Sequence, residues 1–211
     1  MPANRIHLVR HGEVYNPGGV LYGRLPNFHL SDTGKLMAQA AADRLKALNT
    51  PVRAIYCSPL IRTQESAKPI ERAFNIDAKL DEDLIEPHNV FEGRKLSVKA
   101  VALRPHWWWH FRNPAKPAWG ESFKEIIARM NEAIFRAYES VEDGDVVLVT
   151  HQLPIWVMHL STAGEKLMHD PRKRRCSLSS ITSFEVHDGK LVEVEYLEPA
   201  AELLAIDKGA V

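Results

Sequence analysis

The chain has 211 residues, 45% of them hydrophobic and 26% charged, with 27 Lys and Arg against 27 Asp and Glu. That length and balance suit one sizeable core and exclude a fibrous or wholly disordered polypeptide. A net charge of zero argues against a surface built as one basic nucleic-acid field, but it leaves room for a local cationic pocket, because net charge sums over the whole surface.

The opening segment, MPANRIHLVRHGEV, has no long apolar run followed by a small-residue cleavage site. It reads as a strand over residues 5–10, not as a signal peptide. A loop rich in Gly and Pro follows. Ser31 is the expected N-cap of a helix running to Leu48, and Pro51 separates it from the next element. Residues 53–57 read as a second buried strand. Ser58-Pro59 then turns the chain into a helix reaching Phe74. Residues 78–84 suit a weaker third strand. The pattern predicts a helix over 96–103. After it, RPHWWWHFRNPAKPAWG carries four of the five tryptophans and reads as an excursion at 97–120 over the main body. Residues 121–141 form a long helix with Ile126, Ile127, Met130, Ile134 and Phe135 on one side. DVVLVT, at 145–150, is the strongest buried strand. A helix over 153–163 follows. Residues 179–186 and 190–196 form a hairpin around Asp188-Gly189. Beyond Glu198 the chain reads as a loose tail.

Strands alternate with helices, which gives an α/β fold with helices on both faces of a mostly parallel sheet. No repeat, low-complexity tract or boundary divides the chain, so residues 1–211 are expected to form one domain. No stretch approaches ~20 apolar residues, so no membrane span is expected. Cys57 and Cys176 are too few for a disulfide framework. Two free thiols in a cytoplasmic protein are favoured over a single bridge.

In such folds ligands collect at the carboxyl ends of the strands. Arg10-His11-Gly12 follows the first strand, Ser58 to Thr63 the second, Glu86 the third, and His151 the strand DVVLVT. Two histidines, two arginines and a carboxylate thus converge on one rim. Guanidinium forks suit a phosphate, since arginine donates bidentate bonds and keeps its charge. A neutral imidazole beside a bound phosphoryl group can attack phosphorus. Arg10 and Arg62 disfavour a further positive charge and so help keep His11 neutral. Gly12 lets backbone pass close to the phosphate. A carboxyl group can protonate the departing alcohol and then activate water.

IHLVRHGEV, SPLIRT, LIE at Leu84 to Glu86, and VTHQ resemble, in order and spacing, the histidine phosphatase superfamily, whose members are phosphoglycerate-mutase-like. GES at Gly120 to Ser122 and the C-terminal hairpin also fit. The resemblance implies a three-layer α/β/α sandwich. It implies His11 as the phosphorylated nucleophile and Arg10, Arg62 and His151 as the phosphate pocket. It implies Glu86 as the proton donor; among the neighbouring residues Glu13 is another acid to weigh. Asn16, Gly23 and Gln152 are the expected substrate-binding positions. No cofactor and no metal ion are expected. The chain departs from the family pattern at Val14, where many members carry Ser or Thr, and in a loop to Asn16 one residue shorter than usual. It departs again at Gln152-Leu153-Pro154, where mutases continue Gly-Asn-Ser. These departures favour a phosphatase of a small phosphorylated metabolite over a phosphomutase using the same phosphohistidine. A binding protein without turnover is the remaining reading.

His106 and His110 are spaced to share a helix face, but no third ligand accompanies them, and core or lid packing is preferred to a metal site. Trp107, Trp108, Trp109 and Trp119 exceed what an ordinary core takes in. They suit the mouth of the substrate site or a homodimer contact. The run Arg172-Lys173-Arg174-Arg175 reads as a solvated face, with steering of anionic substrates as the alternative.

Overall fold

The protein is described by a computed structural model covering residues 2–95 and 120–204. The predicted helix over 96–103 and most of the tryptophan-rich excursion, with His106, His110, Trp107, Trp108, Trp109 and Trp119, lie outside the described residues. The described residues hold six strands: β1 (Ile6–Arg10), β2 (Val52–Cys57), β3 (Lys79–Leu80), β4 (Asp145–Thr150), β5 (Ile181–His187) and β6 (Lys190–Leu197). The main helices are α1 (Asp32–Ala47), α2 (Ile61–Phe74), α3 (Phe123–Glu139) and α4 (Gln152–Thr162).

The strands form one sheet in the order β3-β2-β4-β1-β5-β6. β3, β2, β4 and β1 run parallel, and β5 and β6 add an antiparallel hairpin beyond β1. The sequence DVVLVT shows why helices cover both faces. Successive side chains of a strand point to opposite sides. Val146 and Leu148 enter one apolar cluster with Ile6, Leu8, Tyr56 and the α3 residues Ile126, Met130 and Ile134. Val147 and Val149 enter the other, with Val9, Ile55 and the α1 and α2 residues Ala41, Leu45, Ala67 and Ile70. A strand with helices on both sides is apolar throughout, and that is how DVVLVT reads.

Local signals place the helices. The Ser31 hydroxyl accepts from Gly34 N at 2.9 Å and donates to Glu13. Ser122 and Glu125 close a reciprocal capping box at the start of α3.

Two expectations differ from the structure. The third strand spans only Lys79–Leu80, and Glu82–Leu84 is a 3-10 turn. Asp81 accounts for the change, because its carboxylate accepts from Asp83 N at 3.0 Å and competes with strand pairing. Arg136 from α3 holds the same two acids, at 2.8 Å to each, while Leu84 is fully buried. The tail also departs from expectation. Ala200 is buried with Met37 and Leu178, and a short helix, Ala201–Leu204, follows.

The far end of the sheet from the predicted rim carries a buried polar link. His7 on β1 lies opposite Ser183 on β5. Its Nδ1 meets Ser183 Oγ at 2.8 Å and its Nε2 meets Asp145 Oδ2, on β4, at 3.1 Å. Asp145 Oδ1 accepts from Arg5 N at 3.1 Å.

Cys57 and Cys176 are both buried free thiols, and burial pushes the Cys57 thiol up to about 12. Among the described residues, no helix is long and apolar enough to cross a membrane.

Candidate active site

The parallel strands β1, β2 and β4 end side by side, so the residues that follow them meet. His11 leaves β1, its backbone N–H donating to Thr150 O at 3.1 Å. Gly12 then passes against the start of α1. A Cβ on Gly12 would stand 2.4 Å from the Gly34 carbonyl oxygen, so only glycine allows this path. Gly12 N is held at 3.1 Å by Ser66 Oγ of α2.

The His11 ring is 3% exposed, and its Nδ1 lies 2.7 Å from the Gly12 carbonyl. A carbonyl only accepts, so Nδ1 carries the proton and Nε2 keeps its lone pair. Burial first, then the charges of Arg62 and Arg10, hold the His11 pKa well below its usual value. The ring is therefore neutral near pH 7. The His151 ring stands edge-on to it, with centroids 5.2 Å apart.

His151 is fully buried at the end of β4. Its Nδ1 lies 3.3 Å from Arg62 Nη2, and its Nε2 lies 2.9 Å from Ser58 Oγ. Guanidinium only donates, so Nδ1 accepts and Nε2–H donates to Ser58. Burial and the nearby Arg62 keep His151 neutral as well.

Arg62, 1% exposed, comes from the first turn of α2. Its Nη2 donates to the Gly23 carbonyl at 2.7 Å, and its guanidinium lies 4.8 Å from the centre of the Tyr22 ring. Arg10 Nη1 donates to the Cys176 carbonyl at 2.6 Å. Three buried donors, Arg10 Nε, Arg62 Nε and Arg62 Nη1, have no hydrogen-bond partner among the described residues. Buried donors rarely stay unpaired without reason, and here they belong to two fixed cations beside one imidazole.

Glu86 follows the 3-10 turn. Its Oε2 lies 3.7 Å from His151 Nδ1, and Arg24 Nε donates to its main-chain carbonyl at 2.5 Å. Burial pushes the Glu86 carboxyl up, against the opposing pull of Arg62, Arg174, Arg10 and Arg129.

The three expected substrate-binding positions differ in place. Gly23 sits beside Arg62 with φ +39°, and a Cβ there would stand 2.3 Å from Glu92 Oε1. Asn16 directs both ends of its amide to the Val20 main chain, at 2.9 and 3.3 Å, and so staples its own loop. Gln152 bridges from the first turn of α4 to Arg174 Nη1, at 3.3 Å. Glu13, the other acid weighed, is engaged with the α1 cap.

The basic run is not one solvated face. Arg172 is exposed and paired with Asp170. Arg175 pairs with Glu193 and lies over the Tyr196 ring. Arg174 turns inward toward Glu86 and Gln152. Sequence reasoning passed over Ser58, Ser66 and Arg174 as site residues. The only signal for Arg174 was the run itself, two residues before Cys176.

A family model described as histidine phosphatase superfamily (branch 1) matches residues 6–198. An uncharacterised protein of Mycobacterium tuberculosis, Rv0525, is 48% identical over 199 residues, covering 93% of this chain and 97% of the relative. Phosphoserine phosphatase 1 of Hydrogenobacter thermophilus is 28% identical over 167 residues, covering 77% of this chain and 78% of that protein. Among solved structures, YhfR of Bacillus stearothermophilus superposes with a TM-score of 0.75 at 26% identity, covering 90% of this chain and 95% of its own. With its mixed sheet, its two helical layers and the rim just described, the chain belongs to branch 1 of the histidine phosphatase superfamily.

Proposed function

We propose that the protein is a phosphomonoesterase that hydrolyses a small phosphorylated metabolite through a phosphohistidine on His11, without a metal ion. The observation that carries this reading is the set of unpaired donors on Arg10 and Arg62 beside the free lone pair of His11 Nε2. A phosphate oxygen accepts what those donors offer, and charge on the transferring group is stabilised where it develops. His11 Nε2 attacks phosphorus, and the bond to the leaving oxygen breaks. Glu86, whose carboxyl burial pushes up, gives that oxygen its proton. The Glu86 carboxylate then takes a proton from water, whose oxygen attacks phosphorus. The phosphorus–nitrogen bond breaks and neutral His11 returns. His151 holds Arg62 in place and borders the attacking ring.

The test is hydrolysis of a panel of phosphomonoesters with chelator present, combined with rapid-quench labelling. The expected result is phosphate release that survives chelator and is lost in His11→Ala, with an acid-labile, base-stable phosphoenzyme in the wild type. Full activity in His11→Ala overturns the mechanism. Isomerisation of a phosphoglycerate without phosphate release would favour a mutase instead. Phosphate or vanadate binding without turnover of any ester would favour a binding protein.

A further inference from the structure

The loop between α4 and β5 brings a cation to the site that the phosphoryl chemistry does not use. A chain of hydrogen bonds leads to it from the phosphate pocket. The Cys176 carbonyl accepts from Arg10 Nη1 at 2.6 Å and from Gln152 Nε2 at 3.5 Å. Gln152 Oε1 accepts from Arg174 Nη1 at 3.3 Å. On its other side, Arg174 Nε donates to His169 Nε2 at 2.9 Å. His169 is oriented for this, because its Nδ1 donates to the Leu167 carbonyl at 2.7 Å. The ring itself is packed between Phe123 and Trp156, with centroids 5.7 and 5.8 Å away.

The other cations near Glu86 are otherwise engaged. Arg129 forks onto the Glu121 carboxylate at 2.8 and 3.0 Å. Arg24 binds the Glu86 carbonyl and lies 3.6 Å from Glu121. Arg174 pairs with no carboxylate among the described residues, and its Nη2 is left without a hydrogen bond there. A braced, half-buried guanidinium with a spare edge suits an anion. Its position says which anion. Gln152 ties it to the Cys176 carbonyl that Arg10 also holds, so it borders the pocket beyond Arg10, on the side where its charge reaches Glu86. Glu86 protonates the leaving oxygen, and that side therefore faces the departing alcohol.

We propose that Arg174, braced by Gln152 and His169, binds a second anionic group carried by the leaving alcohol, a carboxylate or a second phosphoryl group. The proposal rests on the phosphomonoesterase reading and narrows its substrate class.

The test is a matched series of esters: ethyl phosphate, phosphoglycolate and ethylene glycol bisphosphate, which differ only in the group at the far carbon. The readout is the ratio of kcat/KM for each anionic ester to that for ethyl phosphate, so any general loss in a variant cancels. A charged hydrogen bond in such a site predicts a wild-type ratio of about tenfold or more for at least one anionic ester. Which ester gains identifies carboxylate or phosphate. Arg174→Met brings the ratio close to one, and Arg174→Lys, which keeps the charge without the fork, lies between. The lysine variant and the wild-type ratio carry the test should the methionine variant fail to fold. A wild-type ratio near one, or a high ratio that Arg174→Met leaves standing, overturns the subsite. In either case, continued hydrolysis of ethyl phosphate leaves the phosphatase reading intact. Failure of that reading is a different result, in which the wild type hydrolyses none of the three esters or p-nitrophenyl phosphate.

Discussion

His11 and His151 are buried side by side between Arg10 and Arg62, and both are held neutral by burial and by those charges. In the unfolded chain the same two rings take up protons near their ordinary value of 6.5. The folded state therefore binds fewer protons than the unfolded state below that point. Its stability is full above 6.5 and is lost as pH falls. Between about pH 7.5 and about pH 5.5, with both rings still neutral in the fold, each contributes a loss of about 1.4 kcal/mol, or about 2.7 kcal/mol together. Glu86 has the opposite sign, since its raised pKa stabilises the fold as pH falls. The comparison that isolates the histidines is wild type against the double variant His11→Asn/His151→Asn. Urea unfolding at the two pH values, in buffer free of phosphate, gives each stability, with equal slopes as the check on two-state behaviour. The wild type is expected to lose about 2.7 kcal/mol more than the variant over this range. Equal losses in the two proteins would refute the claim that both rings are buried in the neutral form.

Four further outcomes follow from the geometry. Glu86→Gln should lower kcat/KM, which reads only the transfer to His11, by about 10²–10⁴ on an alkyl phosphate and much less on p-nitrophenyl phosphate, whose leaving oxygen needs no proton. Equal losses on both would remove Glu86 from the acid role. In the wild type, alkyl phosphate hydrolysis should decline on the basic side as Glu86 ionises above its usual range. The acid limb, set by His11, should lie below 6.5; a pH–rate profile of kcat/KM reads both. Gly12→Ala places a methyl group against the Gly34 carbonyl. It should cost about 1–3 kcal/mol in urea unfolding and lower kcat by displacing His11. Ser122→Ala removes one half of the α3 capping box. It should cost about 1 kcal/mol of stability while leaving turnover as it was.

The parts of the site that follow directly from strand ends were legible in the chain. A strand of known direction fixes where its next residue emerges, so the sequence alone places Arg10-His11 and His151 together. Ser31 was legible for a similar reason, since a cap depends on its neighbours alone. Arg174 was not. A run of four basic residues looks the same whether it is solvated or split, and here the split is decided by distant packing of Phe123 and Trp156 against His169. The third strand was overread, because the apolar pattern of 78–84 hid the acidic turn that Arg136 fastens to α3. For Asn16 the spacing indicated a loop near the rim, but not that both ends of the amide return to Val20.

The link of His7, Asp145 and Ser183 constrains how this protein can diverge. It ties three adjacent strands where no water reaches, and each member satisfies a polar atom of another. Replacing one alone strands a buried donor or acceptor, at a cost of about 1–3 kcal/mol, a large share of a domain's margin. An apolar replacement of all three removes these mutual costs and leaves only the Arg5 N–H, which Asp145 held, to be satisfied. The route between the two versions crosses a stability valley, so drift at this end of the sheet must proceed by linked substitutions.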